Sequence, residues 1–148
     1  MISFDEAVEI ASRFHKGQKD LDGNPVILHP LAVALMGNND TERIVGVLHD
    51  VVEDTDCSFV NLEKLGVDRN VINILKLLTH TKDQSYNDYL LDIITSGNIT
   101  ALNVKMNDLR HNISRNNEDT EQKKRIKAKH QKALKKIENY LTANNLKK

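Results

Sequence analysis

The stretch Ile44-Val45-Gly46-Val47-Leu48-His49-Asp50-Val51-Val52-Glu53-Asp54-Thr55 decides the fold class. Its spacing predicts a helix from about Thr41 to Val52, and a helix apolar on nearly all sides belongs in a protein interior. A His-Asp pair interrupts it, and two carboxylates follow one turn later. His49 to Glu53 and Asp50 to Asp54 are four-residue steps, so each pair shares a helix face. Burying three carboxylates and an imidazole without a compensating cation is very costly, and a bound divalent metal supplies that compensation. A solvated helix end carrying an incidental histidine is the alternative, and the apolar flanks disfavour it.

Helix signals recur outward in both directions. Ser3 with Glu6 makes a capping box ahead of Phe4, Val8, Ile10, Ala11 and Phe14, which fit an amphipathic helix. Lys16 to Leu28, containing Asp22-Gly23-Asn24-Pro25, reads as a turn-rich loop. Pro30 suits the first position of a helix running to about Asn38. Beyond the central stretch, a short helix is expected from Ser58 to Leu65, ended by Gly66. Others are expected to open at Asp68, at Ser85 with Asp88, at Thr100 (to Ser114) and at about Asp119 (to Leu141). No period-two pattern competes, so the expected fold is all-α, one compact helical domain over residues 1–148 without repeats or a linker.

A chain of 148 residues is long enough to bury a single real core. With 4% aromatic residues and no tryptophan, that core is built from Leu, Ile, Val and Ala. A formal net charge of zero gives no general attraction to nucleic acid or to an anionic membrane. The C-terminal stretch is Lys-rich, but interleaved Glu and Asp give it the pattern of a solvated helix face. Cys57 is the only cysteine, which excludes a disulfide framework and a CxxC metal site. Met1 to Glu6 reads as a helix start and not a signal peptide, and no apolar run approaches membrane-spanning length. A cytoplasmic chain is expected, with neither nucleic acid nor membrane as a partner.

The Thr100–Ser114 helix repeats the central anomaly. Lys105, Asp108, Asn112 and Arg115 recur at three- and four-residue steps, beside an apolar stripe of Leu102, Met106, Leu109 and Ile113. Taken alone, this is more simply the solvent side of an amphipathic helix. His29, before Pro30, is equally readable as a cap or a surface group. His15 is ambiguous too, and His80, His111 and His130 lie in polar surroundings that do not suggest ligands.

In order, the chain reads His15-Lys16-Gly17-Gln18, Gly23-Asn24-Pro25, His29-Pro30, the His49 to Thr55 block, and Lys105-Met106-Asn107-Asp108-Leu109-Arg110-His111-Asn112. This ordered set resembles the HD superfamily of metal-dependent phosphohydrolases. Within it, the chain is most similar to the hydrolase domain of the RelA/SpoT family and the small stand-alone alarmone hydrolases. The resemblance extends from the first helix to about Arg115. It implies a helical fold with one Mn²⁺-type ion, its ligands falling on His29, His49, Asp50 and Asp108. Two nitrogen and two oxygen ligands with open positions suit such an ion better than a closed structural zinc site. The resemblance also implies that Glu53 and Asp54 handle the attacking water and that Asn112 helps hold the nucleotide. Lys16, Lys19, Lys105 and Arg115 are candidates for substrate phosphates, whose charge they would offset.

The implied reaction removes the 3′-pyrophosphate of a guanosine alarmone (ppGpp or its pentaphosphate), giving GDP or GTP and pyrophosphate. A small nucleotide is then the partner, and the oligomeric state is unassigned. Two positions depart from the family pattern. Asp20 stands where the family has an Arg that packs on guanine, and Val26 replaces the Tyr of its G-x-P-Y block. Weak base discrimination is expected from this, and Asp20→Arg is expected to sharpen it. The rivals are the same chemistry on another nucleotide, such as a nucleoside monophosphate, and a non-catalytic nucleotide-binding regulator. The complete ligand set and both carboxylates disfavour the second.

Overall fold

Capping chemistry sets most of the helix starts in the computed structural model, which describes residues 1–144. Helix α1 (Phe4–His15) opens on the expected box, Ser3 Oγ accepting from Glu6 N at 3.1 Å and Glu6 Oε1 from Ser3 N at 3.0 Å. Ser58 and Asn61 form a second box for α5 (Phe59–Lys64). Asn39 caps α3 (Asp40–Leu48), Ser85 caps α7 (Tyr86–Ser96), Asn98 caps α8 (Ile99–Arg115) and Thr120 caps α9 (Glu121–Ala143). Each such side chain satisfies a backbone amide that has no partner within its own helix. Asp68 precedes α6 (Arg69–Leu78) as expected, but its side chain makes no capping bond.

Two expectations change. Pro30 is the third residue of α2 (Leu28–Leu35), not the first; any position in the first turn tolerates the missing N–H. The helix expected from Thr41 to Val52 is two helices, α3 and the short α4 (Val51–Asp54), broken at His49-Asp50. In a continuous helix the Gly46 carbonyl would accept the Asp50 amide. Here it lies 2.5 Å from His49 Nδ1, and Asp50 takes φ −101° and ψ −3°.

Helix α8 runs through the middle, packed by α2, α3, α6, α7 and α9, and every residue from Ala101 to Leu109 is buried. Ile44, Leu48, Leu75, Leu102, Met106 and Leu109 are at most 1% exposed, and full burial of a side chain of this size stabilises by about 1.5–3 kcal/mol. Gly46 lets α3 cross close to α2: a Cβ there would meet the Ala34 backbone at 3.1 Å. That close crossing brings His29 on α2 to the break carrying His49 and Asp50. Among the described residues there is no strand beyond an isolated Lys19–Pro25 bridge. No helix among them is long and apolar enough to cross a membrane.

Candidate active site

Three elements meet at the site: the first turn of α2, the α3–α4 break and the middle of α8. His29 and His49 are 5% exposed and Asp108 6%, while Asp50 is partly open to water. His29 Nε2 lies 2.8 Å from Asp108 Oδ1 and 3.8 Å from Asp50 Oδ2. His49 Nε2 lies 3.2 Å from Asp50 Oδ2 and 3.3 Å from Asp108 Oδ1. Neighbouring donors around an ion bonded at about 2.1 Å are themselves about 3 Å apart. The ligand atoms of His29, His49 and Asp50 all lie within 4.8 Å of one another, a grouping able to hold a metal ion.

Hydrogen bonds fix which imidazole nitrogen faces the carboxylates. His49 Nδ1 must donate to the Gly46 carbonyl, so Nε2 is the nitrogen turned to the cluster. Desolvation lowers its pKa, but the carboxylates to which Nε2 donates there raise it by more, and a bound cation would take the place of that proton. His29 Nδ1 lies 2.7 Å from His111 Nδ1, the rings stacked with centroids 5.0 Å apart. Burial works against ionised Asp108, yet the Lys105 ammonium and the two histidines hold its carboxyl well below the usual range. Lys105 Nζ contacts Asp108 Oδ2 at 2.8 Å and sits 5.1 Å from the centre of the Tyr89 ring. The two imidazoles and the partly exposed Asp50 carboxylate form a grouping that fits a divalent cation, and the buried Asp108 carboxylate meets both imidazoles.

Glu53 lines the same cavity, of about 250 Å³. Its Oε1 accepts the His80 backbone N–H at 2.8 Å, and desolvation raises its pKa. Asp54 does not line the cavity. It is exposed by surface area but flanks the carboxylate cluster, and desolvation followed by the charges of Asp50 and Glu53 pushes its carboxyl up to about 7. The Asp54 carbonyl accepts Gln18 Nε2 at 2.8 Å, and Gln18 Oε1 in turn meets the buried His15 ring at 2.8 Å.

The expected phosphate-binding residues divide. Lys105, Asn112 and Arg115 reach the cavity, although the Lys105 ammonium is engaged by Asp108. Lys19 lines a neighbouring cavity of about 400 Å³, to which Asn112 and Arg115 also contribute. Lys16 lines neither: it is exposed at the end of α1, and Gly17 at φ +84° turns the chain so that Gln18 and not Lys16 points inward. Tyr86, Lys129 and His130 also line the cavity over the His/Asp cluster and were not expected there. The two on α9 sit in a lysine-rich sequence that reads as a solvated face.

No protein-family model matches the chain. It is 41% identical over 64 residues to a GTP pyrophosphokinase of Streptomyces coelicolor, a match covering 40% of this chain and 8% of that protein. It is 31% identical over 116 residues to a guanosine-3′,5′-bis(diphosphate) 3′-pyrophosphohydrolase of Aquifex aeolicus, covering 72% of this chain and 17% of that protein. A solved structure described as a metazoan ortholog of SpoT that hydrolyses ppGpp superposes over 97% of this chain and 96% of its own, at 21% identity and a TM-score of 0.73. In sequence and fold this is a RelA/SpoT-type hydrolase domain.

The RelA/SpoT-type domain has here an acidic residue at a position where the resemblance implied a basic one. Asp20 Oδ1 accepts the backbone N–H of both Asp22 and Asn24 at 2.9 Å, which ties the α1–α2 loop into a turn. Its Oδ2 faces Arg115 Nη1 at 3.5 Å. Arg115 donates to Asn112 Oδ1 at 2.8 Å, and Asn112 Nδ2 donates to Asp108 Oδ1 at 3.1 Å. A polar chain thus runs from the loop to the carboxylate cluster.

Proposed function

We propose that this domain removes the 3′-diphosphate of guanosine tetra- or pentaphosphate, releasing pyrophosphate and GDP or GTP. The convergence of His29, His49, Asp50 and Asp108, with both Nε2 atoms turned inward beside Glu53, is the observation that carries the reading. These four residues would hold one divalent ion, of the Mn²⁺ type. Bound there, such an ion acidifies water and offsets charge on a phosphoryl oxygen.

The chain's own groups supply the rest. Glu53, held by the His80 amide, takes a proton from the attacking water, and its raised pKa makes it a stronger base than an ordinary carboxylate. The water oxygen bonds to the phosphorus nearest the ribose, that phosphorus releases the 3′-oxygen, and the 3′-oxygen takes up a proton. Asp54 stands next to Glu53 outside the cavity, its carboxyl pushed up to about 7 by desolvation and by Asp50 and Glu53. Lys105 keeps Asp108 ionised. Arg115 and Asn112, on the border of the two cavities, offer a cation and an amide to the nucleotide, and Lys19 lies at the end that receives the base.

The test is product analysis with Mn²⁺ and three nucleotides: ppGpp, its adenine analogue and GMP. Pyrophosphate and GDP from ppGpp are expected. The adenine analogue should be cut within about tenfold of the same rate, a difference of roughly 1.4 kcal/mol, because Asp20 and Val26 leave the base with fewer contacts. Orthophosphate from GMP with no pyrophosphate from ppGpp would overturn the alarmone reading.

A further inference from the structure

His130 stands on α9 and borders both cavities, the one over the His/Asp cluster and the larger one beside Lys19 and Asp20. Asn112 and Arg115 border both as well, so a ligand reaching from one cavity to the other passes these three side chains. The Asn112 amide already donates to Asp108 and accepts from Arg115, which leaves one of its Nδ2 hydrogens for a ligand. His130 makes no such commitment: its Nδ1 is buried and has no hydrogen-bond partner among the described residues. A buried N–H without an acceptor is rarer in folded proteins than a bare acceptor, so the proton belongs on Nε2. The ring then carries its N–H donor on Nε2, and His130 lines both cavities.

The two ends of the joined space differ in chemistry. One holds the imidazole and carboxylate cluster with Lys105. The other holds the apolar side chains of Leu21 and Ile126, against which a flat ring can lie. In a nucleotide the phosphoryl group and the base are joined through the sugar, so the sugar falls at His130. Burial pushes this imidazole down to about 4, so it meets the ligand as a neutral donor. Such a group suits a hydroxyl oxygen better than a phosphate, which the nearby Arg115 and Lys129 serve as cations.

We propose that His130 donates its Nε2–H to the ribose 2′-hydroxyl of the bound nucleotide and so selects ribonucleotides over 2′-deoxyribonucleotides. This rests on the nucleotide-hydrolase reading above. The experiment compares guanosine 3′,5′-bis(diphosphate) with its 2′-deoxy analogue, by calorimetric binding without added metal and by pyrophosphate release with Mn²⁺. The wild type should favour the ribonucleotide by about tenfold, the size of one neutral hydrogen bond. His130→Phe keeps a ring but no donor, and should bring the ribonucleotide down to the level of the deoxy analogue, whose own values stay put. His130→Gln retains a donor and should retain part of the preference, which separates a lost contact from a disturbed fold. Equal treatment of the two sugars by the wild type, or an undiminished preference in His130→Phe, would overturn the assignment alone. No turnover of either nucleotide by the wild type would overturn the hydrolase reading and this assignment with it.

Discussion

The Nδ1 atoms of His29 and His111 lie 2.7 Å apart, with the two rings inclined by only 20°. At that separation one nitrogen donates and the other accepts. With the proton on His29 Nδ1, its Nε2 lone pair is left for an ion between it and the carboxylates, so His111 sets the tautomer of a proposed ligand. Partners of this kind typically change metal affinity about 10–100-fold when removed. His111→Phe should therefore weaken Mn²⁺ binding by about that factor, and His111→Asn, which keeps an acceptor, by less. A calorimetric Mn²⁺ titration of the three proteins checks this, and equal affinities would refute it.

Asp20 gives the second prediction, and here the structure points away from the sequence. Restoring the family's arginine at this position was expected to sharpen the preference for guanine. Asp20 instead accepts two backbone amides and faces Arg115. Asp20→Arg removes both acceptors and sets two cations against each other. The expected outcome is a KM raised about tenfold, equivalent to roughly 1.4 kcal/mol, with no gain in guanine preference. Steady-state kinetics on ppGpp and its adenine analogue would show a sharpened preference if this account of Asp20 is wrong.

Glu53 lines the cavity but is outside the His/Asp cluster, so its role separates from metal holding. Glu53→Gln should keep the metal and lose about a hundredfold or more in turnover. Asp50→Ala should lose both, because a charged ligand has gone from the cluster. Metal content by elemental analysis, read beside turnover, distinguishes the two, and full activity in Glu53→Gln would remove it from the mechanism.

His130 makes stability depend on pH. Burial lowers its pKa from the ordinary 6.5 to about 4, and the Lys105, Lys129 and Arg115 charges add to this against an opposing pull from Asp108. Between those two values the unfolded chain binds a proton that the folded chain refuses. Its contribution is complete above about 6.5 and is lost as the pH falls towards 4. His130→Phe should therefore lose less stability than the wild type between pH 7 and pH 5. Urea unfolding at both pH values measures it, and parallel losses in the two proteins would contradict the burial argument.

The helices were legible in the sequence because apolar period and capping residues act locally: Ser3, Ser58, Ser85 and Gly66 stand where their side chains or backbone angles require. The break at His49-Asp50 was not, because it follows from a side chain competing for the Gly46 carbonyl inside an otherwise helical run. The His49-Asp50 anomaly could be read from its apolar flanks, but the expected burial of three carboxylates was too strong: His49 is buried, Asp50 only partly, and Glu53 and Asp54 are exposed where α4 ends at the surface. His29 and Asp108 needed the resemblance, since 79 residues separate them and neither stands out where it occurs. Lys16 was misplaced because the block His15-Lys16-Gly17-Gln18 does not say which side chain the glycine turn sends inward. Lys129 and His130 were missed for the opposite reason: α9 looks solvated throughout, and only its packing against α8 brings them over the cavity.

The central claim is that His29, His49, Asp50 and Asp108 hold one catalytic divalent ion. Anomalous scattering at the manganese edge, from crystals grown with Mn²⁺, tests it most directly. The account predicts one strong peak per chain, bonded to one Nε2 of each histidine and to a carboxylate oxygen of each aspartate at about 2.0–2.3 Å. No peak at these residues, or a peak elsewhere on the chain, would contradict it.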